Sequence, residues 1–396
     1  MPVSAPAPAR RAAVAAAAIA FVAAPLLGGC GGGDDANTER RAAIVNAAST
    51  HMRAVVAEHA ALPGVVIHVL DERSGLSWAG STGVADRSSG RALSANATFR
   101  TASVTKVFTA AAILQLQARG KLSTADAIER HLSPQTVATL RAGGYDTTGI
   151  SVDHLLTHRS GLPDHALSEP YWQAVLADPT HRWSRAEQLA VAMALGAPLF
   201  APGTDYRYSD AGYLLLGEMI ERSTSQGLGA SFRELLQLPS LGLVATYQES
   251  VDPVPPAAGP RANQDLIAGI DDSMIDASTD LWGAGGLVSD GRDLALFVRA
   301  LVNGRILGAG SLQAMMQVAS DMAGAPLPTA YARGLARVQV DGTLCWGHDG
   351  FSGAFMLHCP SIGITVAGSI NATEFVGAPG AMGVAAGFVR ALSSID

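Results

Sequence analysis

Ser103 and Lys106 are the residues whose types and spacing point most directly to chemistry. Lys106 is one of only two lysines in 396 residues, although the chain carries 25 arginines. A lysine can release its proton when it is buried or crowded by other cations, whereas an arginine cannot. Apolar residues recur at helical spacing after Lys106, so the two side chains should share one helix face. We therefore predict that Lys106 activates Ser103 as a nucleophile, with an ordinary lysine at a helix N-terminus as the alternative.

Two further motifs carry groups suited to proton transfer. Tyr208 begins a Tyr-Ser-Asp motif between a turn and an apolar helix. A tyrosine beside a lysine can act as a base, although the serine or Asp210 can equally cap the helix. His348 begins a His-Asp-Gly motif at the end of a predicted strand, where Gly350 would let a ligand or another backbone approach closely. A purely structural histidine is the alternative there.

The sequence carries no pattern for a metal or a cofactor. His154 and His158 are four residues apart, which is a metal-like spacing, but neither an HExxH motif nor an obvious third ligand accompanies them. We therefore expect both histidines to be structural and the site to hold no metal. An intact G-x-S-x-G motif is also absent, which argues against an α/β-hydrolase.

Composition narrows the possible partners. The net charge is −7, with 34 acidic against 27 basic residues, so no basic surface for nucleic acid is expected. Hydrophobic residues make up 48% of the chain and charged residues 15%, which fits one large globular domain or two interleaved ones. We predict no nucleic-acid partner and leave the oligomeric state open.

The N-terminal thirty residues have the pattern of a lipoprotein signal. A charged start that includes Arg10 precedes the apolar stretch 12–27, which is short for a transmembrane helix. The stretch ends in Leu-Gly-Gly-Cys, which resembles a bacterial lipobox, where cleavage leaves Cys30 to be lipidated. We predict a signal peptide over 1–29, a flexible tether over 30–43 and a lipid anchor on Cys30 in the bacterial cell envelope, facing the periplasm or the exterior. An ordinary secretory signal is the alternative.

Strand-like and helical segments alternate in a way that defines one domain over 44–396. A helix over about 44–60 and two strands joined near Gly75 come first, and four strand-like segments and a helix come last. The region from about 122 to 280 is mostly helical, with long loops. We therefore predict an α/β (α+β) fold in which both ends of the domain form one sheet and a helical subdomain over about 122–280 is inserted between them.

Cys345 and Cys359 flank a short turn in this last strand region. If their segments form a hairpin centred near Ser352, the two positions face each other. An oxidising compartment would then permit a disulfide, and two buried thiols are the alternative.

The three motifs occur in one order: Ser-x-x-Lys, Tyr-Ser-x and His-x-Gly. With flanking segments such as LLTHRSGLPDH, YRYSDAGYLLLGEMIE and AGGLVSDGRDLALF, the chain resembles the penicillin-recognising serine hydrolases over about residues 50 to 390. That group contains class C β-lactamases, D-alanyl-D-alanine carboxypeptidases and related esterases. The resemblance implies a β-lactamase/transpeptidase-like fold, with an antiparallel sheet flanked by helices and an active site beside an all-α subdomain.

The resemblance also implies roles for the motif residues. Ser103 would be acylated and Lys106 would accept its proton, while Tyr208 would act as general base or as acid for the leaving group. His348 would help to orient Tyr208 and the acidic end of the substrate. The backbone N–H groups of Ser103 and Phe351 would form the oxyanion hole.

Three departures from the family pattern bear on the substrate. Asp210 stands where the family commonly has Asn, Asp349 where it tends to have Thr or Ser, and His348 where class C β-lactamases have Lys. An ionised Asp can only accept hydrogen bonds, and a histidine is only partly charged at neutral pH. These differences argue against an efficient β-lactamase acting on a β-lactam.

The combined prediction is a serine hydrolase that works through an acyl-enzyme on Ser103. It is most like a D-Ala-D-Ala carboxypeptidase acting on peptidoglycan peptides. The alternatives are an esterase or D-amino-acid peptidase of the same fold, a weak β-lactamase, and a non-catalytic penicillin-binding or envelope module.

Overall fold

A computed structural model describes residues 32–266, 270, 272–321, 329–373 and 380–395. The predicted signal peptide and Cys30 lie outside the described residues. Within these ranges no helix is both long and apolar enough to cross a bilayer.

The first helix, α1, is longer than predicted. It covers Gly32–Glu58 and not 44–60, so residues 32–43 of the predicted tether are helical. A pair of arginines near the start of the predicted domain ties this part of the helix to the fold. Arg40 donates to both carboxylate oxygens of Asp71 at 2.8 and 2.9 Å, and Arg41 donates to the carbonyl of Ser74. Glycine and acidic residues suggest a flexible linker, but these contacts anchor the segment.

Within the described residues, nine strands form one antiparallel sheet in the order β3-β2-β1-β12-β11-β10-β9-β8-β7. A second sheet has the order β4-β6-β5. The strands are β1 (Gly64–Asp71), β2 (Leu76–Asp86), β3 (Arg91–Ala92), β4 (Thr98–Arg100), β5 (Tyr247–Gln248), β6 (Leu287–Asp290), β7 (Ser320–Asp321), β8 (Thr329–Tyr331), β9 (Ala336–Val340), β10 (Thr343–Asp349), β11 (Ala354–Cys359) and β12 (Ile364–Ser369).

Both ends of the domain meet in the large sheet, as predicted. Strand β1 pairs antiparallel with β12, with Val66 opposite Ser369. The all-buried pattern of β1, β11 and β12 shows that helices cover both faces. The predicted fold class, an antiparallel sheet flanked by helices, is therefore confirmed.

Helices form a layer on each face of the sheet. Apolar side chains of α1 and α11 pack on one face, and those of α2, α7 and α9 form the core on the other. The remaining helices are α2 (Thr105–Ala118), α3 (Pro134–Ala142), α4 (Val152–Leu156), α5 (Glu169–Ala177), α6 (Arg185–Ala194), α7 (Asp210–Thr224), α8 (Leu228–Leu235), α9 (Gly291–Val302), α10 (Ala309–Met316) and α11 (Ala381–Ser393).

The region between α2 and β6 is mainly helical. It contains α3 to α8, short 3-10 turns and β5, and the proline-rich segment 251–261 has no regular structure beyond turns. The helices extend the core formed by α2, because Leu140, Leu155 and Leu216 belong to the same hydrophobic cluster as Phe108. That this region is a separate subdomain stays a prediction.

The hairpin β10–β11 carries a disulfide. Trp346 lies opposite His358 in this pair, and the same register places Cys345 opposite Cys359. The structure joins the two cysteines in a disulfide, and both are fully buried. The covalent link ties the strand that carries His348 to its neighbour.

The buried carboxyl of Asp290 should make the stability of the protein depend on pH. It caps α9 by accepting a hydrogen bond from the N–H of Asp293 at 2.8 Å, and burial, aided by the charge of Asp293, raises its pKa to about 6. Between about pH 4 and pH 6 the folded chain keeps a proton that the unfolded chain releases, so this carboxyl lowers stability as pH rises. Asp290→Asn can still accept the capping bond and cannot ionise. We expect it to be more stable than the wild type by about 1–3 kcal/mol at pH 8 and equal to it near pH 4, measured by urea unfolding across this range.

Asp86→Asn is the matched control. Hydrogen bonds from Ser89 and Ser88 lower the pKa of Asp86 to about 2, so its ionised form is favoured in the folded state. Asp86→Asn should therefore lower the free energy of unfolding at pH 8, which is the opposite of the effect expected for Asp290→Asn. An Asp290→Asn variant that is less stable than the wild type at pH 8 would contradict the prediction.

Candidate active site

Ser103 lies where β4 turns into α2. It is the middle residue of a 3-10 turn, Ala102–Val104, directly before the α-helix and not part of it. Ala102 adopts a φ of 43°, in the left-handed region that non-glycine residues rarely occupy. Thr101 holds the base of the turn, because its N–H and its hydroxyl both donate to the carbonyl of Leu287, at 2.9 and 3.0 Å. The sharp turn packs against β10 and β11, the hairpin that carries His348.

Lys106 connects the nucleophile to two other segments. Its Nζ donates to Ser103 Oγ at 2.9 Å and to the carbonyl of Ala284 at 3.0 Å, and it lies 2.6 Å from Asp210 Oδ1. The side chain is 0% exposed. The predicted proximity of Ser103 and Lys106 is therefore present, and the ordinary solvent-reaching lysine is not.

Asp210 is engaged by Lys106 at the N-terminus of α7. The sequence suggests that the side chain of Ser209 or Asp210 caps this helix, but neither does. Ser209 is the N-cap residue and makes no side-chain capping bond. The Ser209 hydroxyl instead donates to the carbonyl of Pro163 at 2.8 Å. The N–H of Asp210 donates to Asp164 Oδ1 at 3.3 Å. Asp210 thus links the lysine to a second carboxylate.

Tyr208 lies over the lysine in an aromatic pocket. Lys106 Nζ is 5.0 Å from its ring centroid, and the His158 ring is 4.2 Å away. Desolvation raises the pKa of Tyr208 well above 10, the charge of Asp210 adds to this, and a hydrogen bond with Ser103 opposes it in part. The resting residue is therefore a neutral phenol, which suits a proton donor better than the phenolate base.

His348 is buried and neutral. Its Nδ1 donates to the carbonyl of Asp349 at 2.6 Å, so its Nε2 accepts from the hydroxyl of Tyr331 at 3.3 Å. Burial, aided by the positive charge of Lys106, lowers its pKa to about 4. The prediction of a partly charged histidine is therefore wrong, because burial keeps His348 neutral at neutral pH. His348 cannot supply a cation for an acidic substrate.

Asp349 and Gly350 follow on the same strand and in the turn after it. Side chains alternate along β10, so Asp349 shares the face of Cys345, opposite to that of His348. A Cβ atom at Gly350 would collide with the carbonyl oxygen of Thr101. The glycine therefore lets the turn that carries Ser103 pack against the turn that carries Phe351, whose ring stacks on Trp172 at 5.5 Å.

Gly350→Ala should weaken both fold and activity. The added methyl must displace the backbone before Ser103, so we expect a loss of about 1–3 kcal/mol in unfolding free energy and a lower kcat. Urea unfolding and ester turnover measure the two effects. Gly310→Ala in α10 is the control, because a Cβ there meets no atom within 4 Å. Equal behaviour of the two variants would show that the close approach is unimportant.

Four further residues lie around the three motifs but were not identified from the sequence as parts of the site. They are His158, Asp164, Asp280 and Tyr331. His158 accepts from the N–H of Ser209 at 3.1 Å and lies between tyrosine rings, while His154 belongs to a capping box with Ser151. Burial, and then the charge of Asp210, raises the pKa of both Asp164 and Asp280 to about 7.

Comparison with known proteins gives the family. The profile of the Beta-lactamase family matches residues 52–386, so the chain belongs to this family of serine hydrolases, and the predicted resemblance is confirmed. The chain is 30% identical to a D-stereospecific amidohydrolase from Streptomyces sp., with a TM-score of 0.70, over 83% of this chain and 94% of that one. A D-amino acid amidase from Ochrobactrum anthropi SV3, 23% identical, shares the fold with a TM-score of 0.72 over 88% and 99% of the two chains.

Two relatives match over shorter stretches. Esterase EstB of Burkholderia gladioli is 35% identical over 161 residues, which is 40% of each chain. Penicillin-binding protein 4* of Bacillus subtilis is 30% identical over 163 residues, 40% of this chain and 33% of that protein. The matched part thus spans well under half the length of either relative.

Proposed function

We propose that this chain hydrolyses a small amide or ester through an acyl-enzyme on Ser103. The observation that carries the proposal is the contact of 2.9 Å between Ser103 Oγ and the buried Nζ of Lys106. A buried amine at hydrogen-bond distance is a base positioned to take the serine proton as the Oγ–carbon bond forms. Asp210 Oδ1 lies 2.6 Å from the same nitrogen and fixes it beside the serine hydroxyl.

The remaining steps use the neighbouring groups. The negative charge on the substrate oxygen would be stabilised by the N–H groups of Ser103 and Phe351. Tyr208 would pass its phenolic proton to the leaving amine or alcohol and regain one from Lys106. Water would then attack the acyl-enzyme by the reverse route and release the acid, which restores Ser103.

The charges of the site favour a substrate without a carboxylate beside the leaving group. His348 is neutral, and Asp210 already balances the charge of Lys106. A D-Ala-D-Ala peptide or a penicillin brings a carboxylate to this region, where Asp164 and Asp280 would repel it. An amidase or esterase is therefore our first candidate, and the similarity to penicillin-binding protein 4* makes the D-Ala-D-Ala carboxypeptidase the second.

Mass spectrometry of the intact protein tests the proposal. After exposure to a fluorophosphonate we expect one adduct on Ser103 in the wild type and none in Ser103→Ala. A parallel exposure to labelled penicillin, with turnover of p-nitrophenyl esters and of D-Ala-D-Ala peptides, separates the candidates. A lasting penicillin adduct with release of D-alanine would favour the carboxypeptidase. Labelling that survives in Ser103→Ala would show that another residue is the nucleophile. A complete lack of labelling and turnover would favour the non-catalytic module.

We also propose that the chain is a lipid-anchored envelope protein. The disulfide between Cys345 and Cys359 supports an oxidising compartment outside the cytosol. The lipobox-like segment at Cys30 supports the anchor. Fractionation of cells expressing the wild type should place the chain in the membrane, and Cys30→Ser should release it. A soluble wild-type chain would contradict the anchor.

A further inference from the structure

Three carboxylates from three separate segments lie near Lys106. Asp210 begins α7, Asp164 lies in the loop after α4, and Asp280 ends the 3-10 turn Ala277–Asp280. We call them the carboxylate cluster. Asp210 contacts both Lys106 and, through its N–H, Asp164. The carboxylate of Asp280 lies against Gly285, next to the residue whose carbonyl accepts from Lys106.

Lys106 does not balance the cluster. It contacts only Asp210 among the three acids, and Arg100, the other cation near Asp280, is already paired with Glu249 at 2.7 Å. The contact between Lys106 and Asp210 pairs one positive charge with one negative charge, so ionised Asp164 and Asp280 leave a charge of −2 on the four groups. The nearby imidazoles do not offset it, because burial lowers the pKa of each of them; they belong to His158, His165 and His348.

In the described part of the chain, Asp164 has an unsatisfied carboxylate oxygen. Its Oδ1 accepts from the N–H groups of Asp210 and Ala166, but its Oδ2 is buried and has no hydrogen-bond partner among the described residues. An unpaired buried polar oxygen is costly, and a buried unpaired charge more so. A cation delivered by the substrate would satisfy this oxygen.

We propose that the carboxylate cluster binds the ammonium group of a substrate that carries a free amino group on the carbon next to the scissile carbonyl. The inference rests on the proposed function, since it names the substrate of the same site. Ser103 Oγ and Asp210 Oδ1 both contact Nζ of Lys106, so only this ammonium group separates the nucleophile from the first carboxylate of the cluster. In an amino acid amide or ester the amino nitrogen is only about 2.5 Å from the carbonyl carbon, so both can be reached at once.

The preference should depend on pH. The pKa of Asp164 and of Asp280 lies at about 7, so protonation below pH 7 discharges the cluster. The α-amino group of the substrate loses its own proton above about pH 8. Binding of the ammonium should therefore be tightest between these limits. The groups that face the two acids are Asp210, Lys106, Arg100, Tyr171 and Tyr208.

A matched pair of substrates tests the inference on the wild-type protein. Alanine p-nitroanilide carries the free ammonium, and N-acetylalanine p-nitroanilide is its neutral counterpart; both are assayed as D and L forms. At pH 7.5 we expect kcat/KM for the free amine to exceed that for the acetylated compound at least tenfold. The KM of the free amine should fall between pH 6 and pH 7.5, and that of the acetylated compound should not.

Variants locate the effect. In Asp164→Asn and in Asp280→Asn the ratio of the two kcat/KM values should drop at least tenfold, while Glu58→Gln, at an exposed acid on α1, should keep the wild-type ratio. If a variant fails to fold, the wild-type ratio and its pH profile still decide. Equal or faster turnover of the acetylated substrate by a chain that is labelled on Ser103 would overturn the inference alone. Absence of labelling and of all turnover would overturn the proposed function, and the inference with it.

Discussion

Ser103→Ala should abolish turnover of every substrate that the wild type hydrolyses. The substitution removes the nucleophilic hydroxyl that Lys106 Nζ contacts at 2.9 Å, so no acyl-enzyme can form. Loss of a serine nucleophile typically lowers kcat on the order of 10⁴-fold or more. Steady-state ester turnover and the fluorophosphonate adduct measure the effect, and circular dichroism shows whether the variant is folded.

Ser394→Ala is the control for this substitution, since Ser394 is an exposed residue after α11. It should keep wild-type labelling and turnover. If Ser103→Ala retained more than a few per cent of the activity, another residue would have to be the nucleophile.

Lys106→Arg should lower kcat on the order of 10³-fold, although it keeps a positive charge at position 106. A guanidinium cannot give up a proton, so it cannot accept that of Ser103. It is also larger than the ammonium in a space where the lysine is 0% exposed. The measurement is kcat for a p-nitrophenyl ester from pH 6 to pH 9, where the variant should gain no activity at high pH.

Two companion variants interpret the result. Lys121→Arg changes the other lysine of the chain, which is exposed, and should behave as the wild type. Lys106→Met removes the charge and leaves Asp210 buried without its partner, so we expect it to lose about 3–5 kcal/mol of stability as well as activity. Retained activity in Lys106→Arg would exclude the role of proton acceptor.

The local parts of the fold and site follow from the sequence. Ser103 and Lys106 are three residues apart, and this spacing brings their side chains together even though Ser103 lies in the 3-10 turn before α2. The hairpins β1–β2 and β10–β11 follow from short apolar segments separated by turn residues. These relationships need no knowledge of the rest of the chain.

The carboxylate cluster could not be predicted in this way. Asp164 and Asp210 are 46 residues apart, and Asp280 comes from yet another segment. No local pattern distinguishes these acids from solvated ones, because their meeting depends on how α4, α7 and the turn before β6 pack. The sequence shows Asp210 where the family commonly has Asn, but it does not show that Lys106 is the partner of this carboxylate.

The two histidines show how a spacing can mislead. Four residues would bring His154 and His158 to one helix face, but α4 ends at Leu156 and His158 has a φ of 55°. The break turns the ring of His158 toward Tyr208, and His154 remains at the capping box. The predicted structural roles fit this geometry, although His158 lies beside the site.

The pairing of β1 with β12 has a consequence for how the protein is made. A chain emerging from the ribosome exposes β1 and β2 early, but the strand that completes their hydrogen bonds is among the last to be synthesised. Contacts between such distant segments form slowly, because the intervening chain must be ordered first. The strand that carries His348 belongs to the same late group. We therefore expect a nascent chain that ends before β10 to remain unreactive toward a fluorophosphonate, so that hydrolytic activity would arise only when synthesis is nearly complete.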